Sequence, residues 1–105
     1  MIIKWTENAK QNLLEYKQNS KIITPEKIEL YINSLIDYVN NLENFHSLGK
    51  FLFHIDRFEV RQLIYHKHRI FYAINDNIVS ILYIISTSRD LNYTLKLIKD
   101  YTKWN

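Results

Sequence analysis

The feature that most constrains this chain is the run from 57 to 91, RFEVRQLIYHKHRIFYAINDNIVSILYIISTSRDL. Residues alternate with a period of two over most of it, which is the signature of strands. Phe58, Val60, Gln62 and Ile64 alternate with Glu59, Arg61, Leu63 and Tyr65. His66-Lys67 is a tight turn without the glycine or asparagine that such turns favour. Ile70, Tyr72 and Ile74 then alternate with Arg69, Phe71 and Ala73. Asn75-Asp76-Asn77 is a turn signal, because Asn and Asp tolerate positive φ. Segment 78–85 is apolar on both sides, with Ile78, Leu82 and Ile84 on one and Val79, Ile81, Tyr83 and Ile85 on the other. That pattern suits a central strand covered on both faces. The run predicts a three-stranded antiparallel meander.

The preceding residues supply one cover. Residues 2–5 read as a short apolar strand. Thr6 is an N-cap, and Ala9, Leu13 and Tyr16 recur at helical spacing through residue 18, with Leu14 widening the stripe. Thr24-Pro25-Glu26 opens a second helix whose apolar face holds Ile28, Tyr31, Ile32, Leu35, Val39 and Leu42. Two helices with a short link predict an antiparallel helical hairpin packed on the sheet. Segment 44–56 connects hairpin to meander. Gly49, the only glycine, is expected to take a backbone conformation that other residues resist. Phe51 and Phe53 either anchor this segment to the core or form a short edge strand. The tail from 91 spaces Leu91, Leu95 and Ile98 helically among lysines, as a short closing helix or as a segment that orders only in a complex. The second face of the sheet falls to this tail or to a partner. The fold class is α+β, one domain over residues 1–105.

With 105 residues, the chain can bury one core and no second one. It has no cysteine, which excludes disulfides and thiolate metal sites. One glycine cannot build a phosphate-binding loop or a dinucleotide turn, so no cofactor is expected. The N-terminal apolar run is too short for a signal peptide and no run approaches a membrane span, so a cytoplasmic protein is expected. Residues 1–43 hold five lysines against six acids, whereas residues 44–105 hold nine basic residues against five acids. All four arginines, Arg57, Arg61, Arg69 and Arg89, lie in the strand region.

Arginine grips phosphate or carboxylate bidentately, so this set is the strongest chemical signal in the chain. Arg61, Arg69 and Arg89 come from different strands or their ends and are positioned to converge. Together with aromatics they would suit RNA or an acidic protein surface. The plain alternative is solvated charge, or salt bridges to Glu59, Asp76 and Asp90. His66 and His68 straddle a turn with no carboxylate at ligand spacing. Turn histidines are usually solvated, so no metal site is expected there.

The order strand, helical hairpin, antiparallel meander resembles the RelE/ParE superfamily of bacterial type II toxin–antitoxin systems. The residues carrying the resemblance are Trp5 and Ala9, Gly49-Lys50, Val60-Arg61, the strand His68-Arg69-Ile70-Phe71-Tyr72, and Ser88-Arg89-Asp90. It covers about residues 2–91. The resemblance implies a growth-inhibiting toxin neutralised by a cognate antitoxin encoded beside it. RelE-like members are ribosome-dependent, metal-independent endoribonucleases that cut mRNA, relying on basic residues and often a C-terminal Tyr or His. ParE-like members poison DNA gyrase. On the cleaving reading the matching catalytic residues are Arg61, Arg69, Arg89 and Tyr93. No histidine follows Arg89, and the segment before Arg57 is poor in lysine. Arginine stays protonated near neutral pH and is a poor general base. The wording Val-Arg-Gln-Leu and Ser-Arg-Asp-Leu is closer to the ParE side, which places gyrase ahead of the ribosome with its mRNA as target. A non-toxic binding module of the same fold is the third reading.

Overall fold

One side chain joins the first strand, the first helix and the centre of the sheet. Thr6 follows β1 (Ile2–Trp5) and caps α1 (Glu7–Asn19), its hydroxyl accepting from the Ala9 amide at 3.2 Å. The same hydroxyl donates to the Ile81 carbonyl at 2.7 Å, fixing the start of the helix against the last strand. The second helix, α2 (Pro25–Asn40), begins as its sequence dictates: the Thr24 hydroxyl accepts from the Lys27 amide and Pro25 occupies the first turn. A 3-10 turn, Asn41–Glu43, completes it. The structure, a computed structural model, describes residues 1–21 and 23–104.

Four strands follow: β2 (Lys50–Ile55), β3 (Phe58–Tyr65), β4 (His68–Asn75) and β5 (Ile78–Ser86). The sheet order is β1-β5-β4-β3-β2, with β1 parallel to β5 and the other pairs antiparallel. Of the two expectations for Phe51 and Phe53, the edge strand is the one realised, so the meander has four strands rather than three. Each hairpin turns on a residue in the left-handed region: Asp56 at φ 53°, His66 at φ 50° and Asp76 at φ 54°. Asp adopts this region more readily than most residues, whereas His66 does so at some cost.

Gly49 corrects an expectation. Its φ is not positive. It is glycine because a Cβ there would stand 2.7 Å from the Gln62 carbonyl oxygen and 2.8 Å from the Tyr72 ring. Close approach of backbone to sheet, rather than backbone conformation, is what excludes a side chain.

The helices cover one face of the sheet. Ala9, Leu13, Leu35, Val39 and Leu42 pack there on Leu63, Ile70, Tyr72, Val79, Ile81 and Ile84. The other face is closed by α3 (Leu91–Lys99) and the 3-10 turn Tyr101–Lys103. Fully buried Ile98 sits among Val60, Phe71, Ala73, Leu82, Tyr83 and Ile85, with Leu91, Leu95 and Trp104 at its margin. The chain's own tail is therefore the second cover. Burying a side chain of this size contributes about 1.5–3 kcal/mol.

The sides of β5 differ from simple alternation. Val79, Ile81 and Ile84 face the helices, while Leu82, Tyr83 and Ile85 face α3. The register against β4 shifts between Phe71 and Tyr72, which pair with Tyr83 and Ile81. Leu82 is the extra residue, and a bulge of this kind inverts the parity of everything beyond it.

Candidate functional site

Regular pairing of β3 with β4 decides where the arginines point. Arg61 stands opposite Tyr72, which faces the helices. Arg69 neighbours Ile70 on β4 and so faces the other way, beside Ile85 on the α3 side. The expected convergence of Arg61, Arg69 and Arg89 does not occur, because Arg69 lies three positions from Tyr72, the partner of Arg61, and an odd offset along a strand reverses the face.

Arg61 is occupied by its own fold. Its Nε donates to Glu59, and one Nη reaches the Gly49 carbonyl at 2.7 Å and the Ser47 carbonyl at 3.3 Å. Tyr72 works on the same loop: the Gly49 amide donates to its hydroxyl at 2.9 Å, and that hydroxyl donates to the His46 carbonyl at 2.8 Å. Burial raises the Tyr72 pKa, so the hydroxyl keeps its proton and its role as donor. The basic residue and the tyrosine together clamp the loop leading into β2.

His68 also departs from expectation, being buried rather than solvated. Its Nδ1 lies 2.7 Å from the Tyr31 hydroxyl, and its ring meets Tyr16 edge-on with centroids 4.6 Å apart. Lys67 reaches back over the Tyr16 and Tyr31 rings at 5.6 and 5.5 Å. Burial first, and Lys67 second, lower the His68 pKa to about 4. Burial, with neighbouring Tyr16 and Tyr65, raises Tyr31 to about 12. This imidazole is neutral near pH 7, and it sits on the helix face. The signal missed in the sequence is the parity of β4, since His68 shares its side with Ile70, Tyr72 and Ile74.

Arg89 and Tyr93 do come together. Exposed Tyr93 on α3 and Arg89 before it line a cleft of about 470 Å³, with Asn12, Tyr83 and Leu97. A second cleft, of about 230 Å³, opens on the helix face and is lined by Asn12, Tyr16, His68, Ser86 and Arg89. Arg89 and Asn12 belong to both. Among the described residues Arg89 has no ion-pair partner; the ion pairs are Lys10–Glu7, Arg61–Glu59 and Lys103–Asp100. Arg69 adds an Nε that is buried without an acceptor. The arrangement offers a cation without an ion pair among the described residues, between two clefts, with exposed Tyr93 on the rim of one.

Among the described residues no group of three or more His, Asp or Glu is placed to hold a metal ion. Nor is any helix there long and apolar enough to cross a membrane.

Comparison with known proteins places this geometry. A search of curated proteins found no match. Among solved structures, a chain described as the chromosomal ParDE TA system from P. aeruginosa superposes with a TM-score of 0.67 at 22% identity, covering 82% of this chain and 95% of that one. At that identity the likeness shows a shared fold. The family described as ParE toxin of type II toxin-antitoxin system, parDE, matches residues 3–91, which takes in α1, α2, the sheet from Ile3 onward and Arg89. The chain belongs to the ParE toxin family, the toxin side of a type II toxin–antitoxin pair.

Proposed function

We propose that this toxin arrests growth in the cytoplasm by binding DNA gyrase, and that a cognate antitoxin encoded beside it blocks that binding. The observation that carries the reading is the division of the arginines between the two faces of the sheet. Metal-free RNA cleavage needs cations around one phosphate and a general base beside the 2′-hydroxyl. Arg61 is held by Glu59, Ser47 and Gly49 on one side, while Arg69 and Arg89 lie elsewhere. The buried imidazole, His68, is locked among tyrosines. Arg89 with Tyr93, and Asp90 beside them, instead form a charged, partly aromatic rim, a composition suited to gripping a protein surface.

The test is direct. Expression without the antitoxin is expected to stop growth, and the purified protein to inhibit supercoiling by gyrase in a dose-dependent manner. Unaffected supercoiling at large molar excess rejects gyrase as the target. Cuts in mRNA on programmed ribosomes, lost on Arg89→Ala, would replace this reading with the cleaving one.

A further inference from the structure

The outer edge of β5 is only half occupied. β1 pairs with it from Ile78 to Ile81 and stops. Beyond that point the edge is closed by side chains: the Thr6 hydroxyl reaches the Ile81 and Leu82 carbonyls, and the Asn12 Oδ1 accepts from the Ile84 amide at 2.9 Å. Since Ile84 points its amide outward, its carbonyl points outward too, and so does the amide of Ser86 two residues on. The Ser86 carbonyl is already taken by the Arg89 amide at 3.0 Å. Between the Asn12 cap and this turn lies a slot with one acceptor, on Ile84, and one donor, on Ser86. Among the described residues no strand stands beside it.

That slot has the hydrogen-bonding pattern of a parallel ladder. One residue beside Ile85 would donate to the Ile84 carbonyl and accept from the Ser86 amide, continuing the line and direction of β1. Alternate side chains of such a strand point to opposite faces. Here those faces hold the two clefts, of about 230 Å³ beside His68 and about 470 Å³ beside Tyr93. Glu15 lines the first cleft and Asp90 the second, but they accept from Gln11 and from the Asn92 amide. Arg89 lines both clefts and is without an ion pair among the described residues, so a carboxylate from the added strand is its complementary group.

We infer that the open half of the β5 edge receives a short extended, carboxylate-bearing segment of the antitoxin, added as a parallel strand beside Ile85 with its acidic group on Arg89. This rests on the antitoxin reading above. Main-chain pairing supplies affinity in such additions and the flanking clefts supply selectivity.

Amide hydrogen exchange on the full-length toxin, alone and bound to the protein encoded by the neighbouring reading frame, tests it. The Ser86 amide is expected to exchange at least about 100-fold more slowly in the complex than in the free protein. Arg89→Glu is expected to weaken binding about 10-fold or more with unchanged melting, whereas Lys50→Glu, on β2 at the opposite edge of the sheet, leaves it unchanged. A complex in which Ser86 exchange does not slow, or in which Arg89→Glu binds like the wild type, overturns the inference while leaving the antitoxin reading in place. Absence of any complex overturns both.

Discussion

The Nδ1 of His68 lies 2.7 Å from the Tyr31 hydroxyl in a buried setting, and that burial makes the fold sensitive to acid. Burial lowers the His68 pKa to about 4, against an ordinary value of 6.5. Between these limits the unfolded chain binds a proton that the native chain does not. Stability from this group is therefore complete above pH 6.5 and declines as pH falls toward 4, by up to about 3 kcal/mol. Urea unfolding at pH 7 and pH 4.5 should show this loss, and His68→Gln should remove most of the difference. An equal acid loss in the variant would assign the effect to other groups.

Arg61 is predicted to matter for folding. Arg61→Ala strips two carbonyls and Glu59 of their shared partner, and should lower stability by about 2–3 kcal/mol. Arg89→Ala touches no such network and should stay within about 0.5 kcal/mol of the wild type. Thermal melts of the two variants, read beside growth arrest, separate the roles. Activity lost through Arg89 at full stability marks contact with a target, and activity lost through Arg61 should follow the melting curve.

The loop that Arg61 holds gives a second measure. Gly49→Ala places a methyl group against the Gln62 carbonyl and the Tyr72 ring, and neither can retreat without moving the sheet. A loss of about 1–3 kcal/mol is expected. Tyr72→Phe keeps the ring but leaves the Gly49 amide and His46 carbonyl without their partner, at a comparable cost. Denaturant titration of the double variant should give less than the sum, because both changes release the same loop.

Most of the scaffold was legible in the sequence because its signals are local. Thr6 and Thr24 start helices by bonds to residues within one turn, and Pro25 by its fixed φ at the first helical position. Alternation in β3 and β4 assigns faces correctly, since their pairing is regular from Glu59 to Tyr65. What was not legible depends on partners distant in sequence. Leu82 forms a bulge that a period of two cannot register. Gly49 is small because of Gln62 and Tyr72, not because of its own φ. The arginines failed to meet because strand parity separates Arg61 from Arg69, a relation visible only once the ladder is fixed. Asn12 gave no signal at all, since an exposed-looking helical asparagine becomes a strand cap only where β1 runs out.

The tail offers a last measurement. Ile98 is fully buried against Val60, Phe71 and Leu82. Ile98→Ala should cost about 2–5 kcal/mol. Ile98→Asp should leave the second face uncovered and the protein prone to aggregation, detectable by light scattering. A monodisperse Ile98→Asp protein with wild-type melting would show that the tail is not needed to close the sheet.

Closure of that face by residues 91–104 has a consequence for timing. Separation of the toxin from its antitoxin uncovers no core, so the free protein's lifetime is set by its own unfolding rate and not by how long the partner stays bound. Loss of the antitoxin is expected to leave an intact toxin behind. The toxin's own unfolding is then the clock on which its action would end without a new partner.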